Sequence, residues 1–144
     1  MSAQGKLMMP GLRSVRFGFL GLLLGCSDGT GPDSDRVCTT PLQVSATRSV
    51  TPVVTWAGGC RVNQVVFGQT APQTSLAWVV YYTPFDSNGL LPPVQYGTVP
   101  TGAQQLPDTP APLQPGATYV INVVIWDTAN GGSPVIVGKD TIVP

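Results

Sequence analysis

From residue 38 onward, short runs of β-branched and aromatic residues alternate with polar turns rich in Gly, Pro, Asn and Asp. Apolar runs of this length, bounded by turn residues, predict β-strands. Prolines recur in almost every window of about fifteen residues and disfavour helices throughout. The pattern predicts seven strands, at residues 42–47, 50–56, 61–68, 75–83, 94–99, 117–127 and 134–143. Strands at this spacing predict an all-β, seven-stranded antiparallel sandwich.

Two stretches make this prediction more specific. Residues 113–119, Leu-Gln-Pro-Gly-Ala-Thr-Tyr, lead into the apolar run 120–125, and Val53-Val54-Thr55-Trp56 forms the end of another predicted strand. Both resemble parts of fibronectin type III domains, which are Ig-like sandwiches. The resemblance implies that Tyr119 closes a corner by hydrogen bonding to the preceding backbone, and that Trp56 lies in the core.

Alternation then predicts which side chains face outward. If Tyr119 is in the core, every second residue after it shares the core face, and Val120, Asn122, Val124 and Trp126 point outward. The fourth predicted strand is apolar on both faces, so it adds either Trp78 or Tyr81 to the outside. A two-sided apolar strand in a small sandwich favours an interface. The candidate interaction face is Trp126, Val124, Trp78 and Tyr81.

The N-terminal pattern differs from the rest. Three basic residues precede the apolar run 17–24, which is too short to span a bilayer and has the length of a secretory h-region. Leu23-Leu24-Gly25-Cys26 resembles the lipobox of bacterial lipoproteins. This resemblance implies lipidation and processing at Cys26, and Ser27 after it resembles an outer-membrane sorting signal. The alternatives are an ordinary signal peptide with a chance cysteine, or a start placed too early.

The chain therefore divides into three predicted parts. Residues 1–25 are a lipoprotein signal peptide, residues 26–37 are the lipidated cysteine with a flexible linker, and residues 38–144 are the sandwich. The polar Gly/Pro/Asp run 27–35 lacks apolar periodicity, which is typical of a tether. From Cys26 to Cys38 it spans roughly 40 Å when fully extended.

Composition narrows the function classes. The sequence contains no histidine and no glutamate, so the commonest general base and metal ligand are missing, and no nucleophile with its base is visible. We expect no enzyme activity and no cofactor. After removal of residues 1–25 the chain carries seven aspartates against four basic residues. Because there is no basic patch, we expect no nucleic-acid partner.

The remaining cysteines, Cys38 and Cys60, form an even pair in an oxidising compartment, which predicts a disulfide. In an Ig-like sandwich their two positions lie at the same pole. By the chain-entropy model, closing the loop would contribute about 3 kcal/mol to stability. Two free thiols are the alternative.

Oxygen ligands for calcium are a further candidate at this pole, where Asp86, Asn88, Asp127 and Asn130 fall in loops. Asp and Asn are also the ordinary residues of tight turns, and we favour the interpretation that these four residues form turns rather than bind calcium.

The leading hypothesis is a lipid-anchored, non-enzymatic protein of the bacterial envelope, expected in the outer membrane. We expect it to contact a protein partner or a second copy of itself. The alternative is a carbohydrate-binding module, because aromatic residues can stack on sugar rings. The candidate aromatics are Trp78, Tyr81, Tyr82, Tyr96 and Trp126.

Overall fold

The computed structural model describes residues 36–144, and these residues form β-structure with a single 3-10 turn at Ala57–Gly59. The strands are β1 (Val44–Ala46), β2 (Val53–Trp56), β3 (Gln64–Ala71), β4 (Ser75–Tyr82), β5 (Val94–Gln95), β6 (Ala103–Leu106), β7 (Thr118–Asp127) and β8 (Ser133–Ile142). The predicted signal peptide, Cys26 and the tether 27–35 lie outside the described residues. No helix in the described part of the chain is long and apolar enough to cross a membrane.

Two antiparallel sheets pack face to face. One has the order β1-β2-β5 and the other has the order β6-β4-β3-β7-β8. Buried side chains from both sheets meet in one core, among them Val54 and Val94 from the first sheet and Val65 and Ile121 from the second. The predicted all-β antiparallel sandwich is confirmed.

The predicted strand count was wrong, because residues 36–144 contain eight strands. The additional strand, β6, pairs with β4 through Val79–Leu106 and Tyr81–Gln104. Its sequence, Ala-Gln-Gln-Leu, contains no β-branched or aromatic residue, so no local signal marks it. The strand forms because the long edge of β4 is available for pairing. Conversely, β5 is shorter than the predicted run 94–99 and contains only Val94 and Gln95.

The centre of the core is a cluster of three aromatic rings. Phe67 of β3, Trp78 of β4 and Tyr96 after β5 have ring centroids 5.1 to 5.6 Å apart. The Tyr96 hydroxyl donates a hydrogen bond to the Ala111 carbonyl at 2.9 Å. Burial, with a smaller electrostatic contribution from Tyr119, raises the pKa of Tyr96 to about 12. These rings connect the two sheets, because Phe67 and Trp78 belong to the five-stranded sheet and Tyr96 follows β5, an edge strand of the three-stranded sheet.

The corner before β7 has the predicted geometry. Tyr119 is buried, and its hydroxyl oxygen accepts a hydrogen bond from the Gln114 backbone N–H at 2.9 Å. Trp56, at the end of β2, is also buried, and its Nε1 donates to the Cys60 carbonyl at 2.9 Å. Tyr119 therefore sets the facing of β7, with odd-numbered residues 119–125 directed into the core.

The predicted disulfide is confirmed. Cys38 and Cys60 are bonded, with their Cα atoms 5.0 Å apart. The Cys38 backbone N–H also donates to the Arg61 carbonyl at 3.0 Å, beside a parallel bridge between Val37 and Arg61. The bond therefore holds the beginning of the described chain against the segment between β2 and β3.

Candidate functional site

The outward face of the five-stranded sheet is the candidate site. We call this surface the β4–β7 face. Its positions follow from the register, in which Tyr81, Gln64 and Val124 lie side by side, as do Val79, Val66 and Asn122 in the next row. The buried neighbours of these residues along each strand belong to the core, so the side chains themselves point away from it.

The β4–β7 face is mainly apolar. Four of its large apolar side chains are substantially exposed: Leu76 at 58%, Leu106 at 50%, Phe85 at 48% and Ile136 at 45%. Half-buried valines fill the space between them, at positions 66, 79 and 120. Among the register positions described for this face, only Lys139, opposite Asn122, carries a charge. Several large apolar side chains exposed together on one face are typical of interaction sites.

Three aromatic rings stand at the end of this face near the C-terminus of β7. Phe85 lies between Tyr81 and Trp126, with its ring centroid 5.7 Å from each. The interplanar angles are 68° and 69°, so both contacts are edge-to-face. Such pairs contribute about 0.5–1.5 kcal/mol beyond their buried area. The three rings therefore form one supported ridge rather than three independent side chains.

Two asparagines fix the loop that carries Phe85. Asn63 is fully buried, and its Nδ2 donates to the carbonyls of Phe85 at 2.7 Å and Ser87 at 2.6 Å. The Asn88 side chain accepts from the Trp126 backbone N–H at 2.8 Å and donates to the Trp126 carbonyl at 2.9 Å. Sequence analysis missed Asn63. Its only signal in the sequence was a polar side chain directly after Val62 within the predicted strand 61–68.

The structure corrects the predicted face at one position and qualifies another. Trp78 does not belong to it: the side chain is fully buried in the core, where its Nε1 donates to Gln105 Oε1 at 2.8 Å. The register bulge between Phe67 and Gly68 selects Tyr81 as the outward residue of β4. Val124 has the predicted outward orientation, yet only 6% of its surface is accessible, so it supports the face without offering contact area.

Two of the four candidate calcium ligands, Asp127 and Asn130, act as turn residues, whereas Asn88 bonds the backbone of Trp126. Asp127 Oδ1 accepts the backbone N–H of Ala129 at 3.0 Å and that of Asn130 at 3.3 Å, and Asn130 Nδ2 donates to Asp127 Oδ2. The Asn130 side chain, followed by these backbone N–H groups, holds the pKa of Asp127 below its ordinary value. Within residues 36–144 no three His, Cys, Asp or Glu side chains are grouped so that they could hold a metal ion.

The groups that the β4–β7 face offers to solvent are mainly apolar side chains and neutral amides, with Lys139 at its edge. A scan of protein-family models, a search of curated proteins and a search of solved structures each find no match to this chain.

Proposed function

We propose that this protein is a lipid-anchored lipoprotein of the bacterial envelope whose sandwich is a non-enzymatic protein-interaction module. The single observation that carries the proposal is the β4–β7 face, which is mainly apolar and almost uncharged. A sheet face with aromatic residues at one end and almost no charge resembles the core of protein interfaces, where aromatic residues are enriched and charged residues are depleted.

The anchor is proposed from Leu23-Leu24-Gly25-Cys26, with the outer membrane as the location. The mature chain would begin at Cys26 and carry acyl chains there. Support for a fibronectin type III-like sandwich comes from the Tyr119 corner and the buried Trp56. Intact mass of the mature protein tests the anchor, and Cys26→Ser should leave an unprocessed or released form. A free, unmodified amino terminus at another residue would contradict it.

Cross-linking in intact envelopes, followed by mass spectrometry, tests the interaction. Trp126→Ser and Leu106→Ser should each reduce partner capture several-fold, because they remove apolar area from the β4–β7 face. Val99→Ser is the matched control, since Val99 is 42% exposed but lies in the loop between β5 and β6. Trp126→Ser should cost about 1 kcal/mol for the lost contact with Phe85, in addition to the cost of the area that the half-buried indole no longer buries. A large loss of stability with unchanged capture would show that Trp126 has a structural role only.

Glycan recognition is the second candidate, and the row of Tyr81, Phe85 and Trp126 is the observation that favours it. Sugar rings stack on exposed aromatic faces. Here, however, successive ring planes are inclined by almost 70°, so the row is not a flat platform. The wide aliphatic area around it favours a protein partner. Binding of soluble glycans that Trp126→Ser abolishes, without any protein cross-link, would reverse this preference.

A further inference from the structure

Two Asn-Gly pairs lie in the loops at the Trp126 end of the β4–β7 face: Asn88-Gly89 and Asn130-Gly131. In such a pair the backbone nitrogen of the glycine can attack the side-chain amide carbon of the asparagine. Glycine has no side chain to shield that nitrogen, and its backbone freedom lets the two atoms meet. The dipeptide is the same in both loops, so a difference in reactivity between them has to come from the fold.

Asn88-Gly89 is held at the groups that the reaction needs. The Asn88 side chain accepts from the Trp126 backbone N–H at 2.8 Å and donates to the Trp126 carbonyl at 2.9 Å. The attacking nitrogen is also engaged, because the Gly89 N–H donates to the carbonyl of buried Val62 at 3.0 Å. The space beside Gly89 is filled as well, since a Cβ atom added there would collide with the Tyr82 ring. Reaction at Asn88 therefore requires local opening of the loop.

Asn130-Gly131 is open by comparison. Both residues are exposed, and a Cβ atom added at Gly131 would have no atom within 4 Å beyond its chain neighbours. Among residues 36–144 the Gly131 N–H has no hydrogen-bond partner, so no bond holds the attacking nitrogen in place. The Asn130 side chain has one contact, from its Nδ2 to Asp127 Oδ2, and this contact is exposed to solvent, where such pairs contribute little.

We propose that Asn130 is a site of spontaneous deamidation in the folded protein, and that the fold protects Asn88 from the same reaction. The Gly131 nitrogen bonds to Asn130 Cγ and the Cγ–Nδ2 bond breaks. The Gly131 proton, carried by water, leaves with the amide nitrogen as ammonia. A water molecule then opens the cyclic imide. Its addition at Cγ gives aspartate, and its addition at the Asn130 backbone carbonyl gives isoaspartate. Neither step depends on the proposed interaction function.

The reaction changes the charge of the loop between β7 and β8. Either product has a carboxylate at residue 130, where the amide donated to Asp127, so a donor is lost and a like charge arrives. The loop adjoins Trp126, because a Cβ atom added at Gly132 would lie 3.4 Å from the Trp126 Nε1. Deamidation therefore adds negative charge beside the aromatic end of the β4–β7 face, next to that of Asp127.

Peptide mass spectrometry of the full chain, incubated in mildly alkaline buffer, tests the proposal. Digestion with pepsin in acid stops the reaction and separates Asn88 from Asn130 by cleaving near the aromatic residues between them. Deamidation replaces an amide NH₂ by a hydroxyl group, which raises the peptide mass, and electron-transfer fragmentation distinguishes isoaspartate from aspartate. Because three hydrogen bonds must break at Asn88, we expect Asn130 to convert about 100-fold faster.

The same chain unfolded in urea, with the Cys38–Cys60 bond reduced, is the matched reference. Both asparagines should convert there at comparable rates, because the fold no longer distinguishes them. Asn130→Gln should abolish conversion at residue 130 and leave Asn88 unchanged, since the longer side chain would have to close a larger, less favoured ring.

Each result supports or overturns part of the proposal. An Asn130 that stays intact in the folded chain, whether or not it converts in urea, would overturn the site. Equal conversion of Asn88 and Asn130 in the folded chain, or an equally large difference in urea, would overturn protection by the fold. NMR titration tests the change of charge: the pKa of Asp127 should be higher in the deamidated chain than in the fresh chain, and an unchanged pKa would contradict the contact with residue 130.

Discussion

Removing the buried amide of Asn63 should release the Phe85 loop. Asn63→Ala deletes two hydrogen bonds, to the carbonyls of Phe85 and Ser87. A neutral hydrogen bond contributes about 1 kcal/mol net, so the deletion costs about 2 kcal/mol. Within residues 36–144 the buried Asn63 Oδ1 has no hydrogen-bond partner, and losing it recovers up to about 1 kcal/mol. We expect a net loss of about 1–2 kcal/mol, or a Tm lower by roughly 5–10 °C.

Urea unfolding followed by tryptophan fluorescence measures this change. Asn122→Ala is the matched control, because Asn122 is a half-buried asparagine on β7 at the β4–β7 face. If Asn63→Ala costs no more stability than Asn122→Ala, the amide does not hold the loop and the argument fails.

Asn63→Asp gives the same test a pH dependence. Its carboxyl would face two carbonyl oxygens in a buried site, which raises its folded pKa above the unfolded value of about 3.9. The variant's stability relative to the original chain is therefore greatest below that pH. It is lost as the pH rises through the folded pKa. Equal destabilisation at pH 4 and pH 7 would contradict this.

Three further predictions concern the frame around the face. Gly138→Ala would place its methyl 2.5 Å from the Val44 side chain, so overpacking should cost about 1–3 kcal/mol, and an unchanged melting temperature would disprove the close approach. Because the folded pKa of Tyr96 is about 12, stability should fall as the pH rises from about 10 to 12, and Tyr96→Phe should remove that part of the pH dependence. The Asp127 carboxyl should titrate below its ordinary pKa by NMR, and Asn130→Ala should raise it; an unchanged titration in that variant would assign the shift to the backbone N–H groups alone.

Local sequence determined the fold class and the facing of the strand that carries the site. Successive side chains of β7 point to opposite faces of the sheet. Tyr119 must bury its ring and satisfy its hydroxyl, so it faces the core, and this fixes the direction of every side chain from residue 119 to 126. The pairing of Cys38 with Cys60 was likewise predicted, because these are the only two cysteines in residues 38–144. These features were predictable because each depends on residues within one strand, one corner or one covalent bond.

Tertiary structure decided the rest. Whether Trp78 or Tyr81 faces outward depended on the bulge at Phe67. The strand β6 forms because the edge of β4 offers unpaired backbone groups to a segment whose own β-propensity is weak. The ridge required Asn63 to reach a loop 22 residues away. A strand that is apolar on both faces has no periodicity from which its facing can be taken, and a hydrogen bond between distant segments leaves no local pattern. Only the packed sheets specify which side chains form the β4–β7 face.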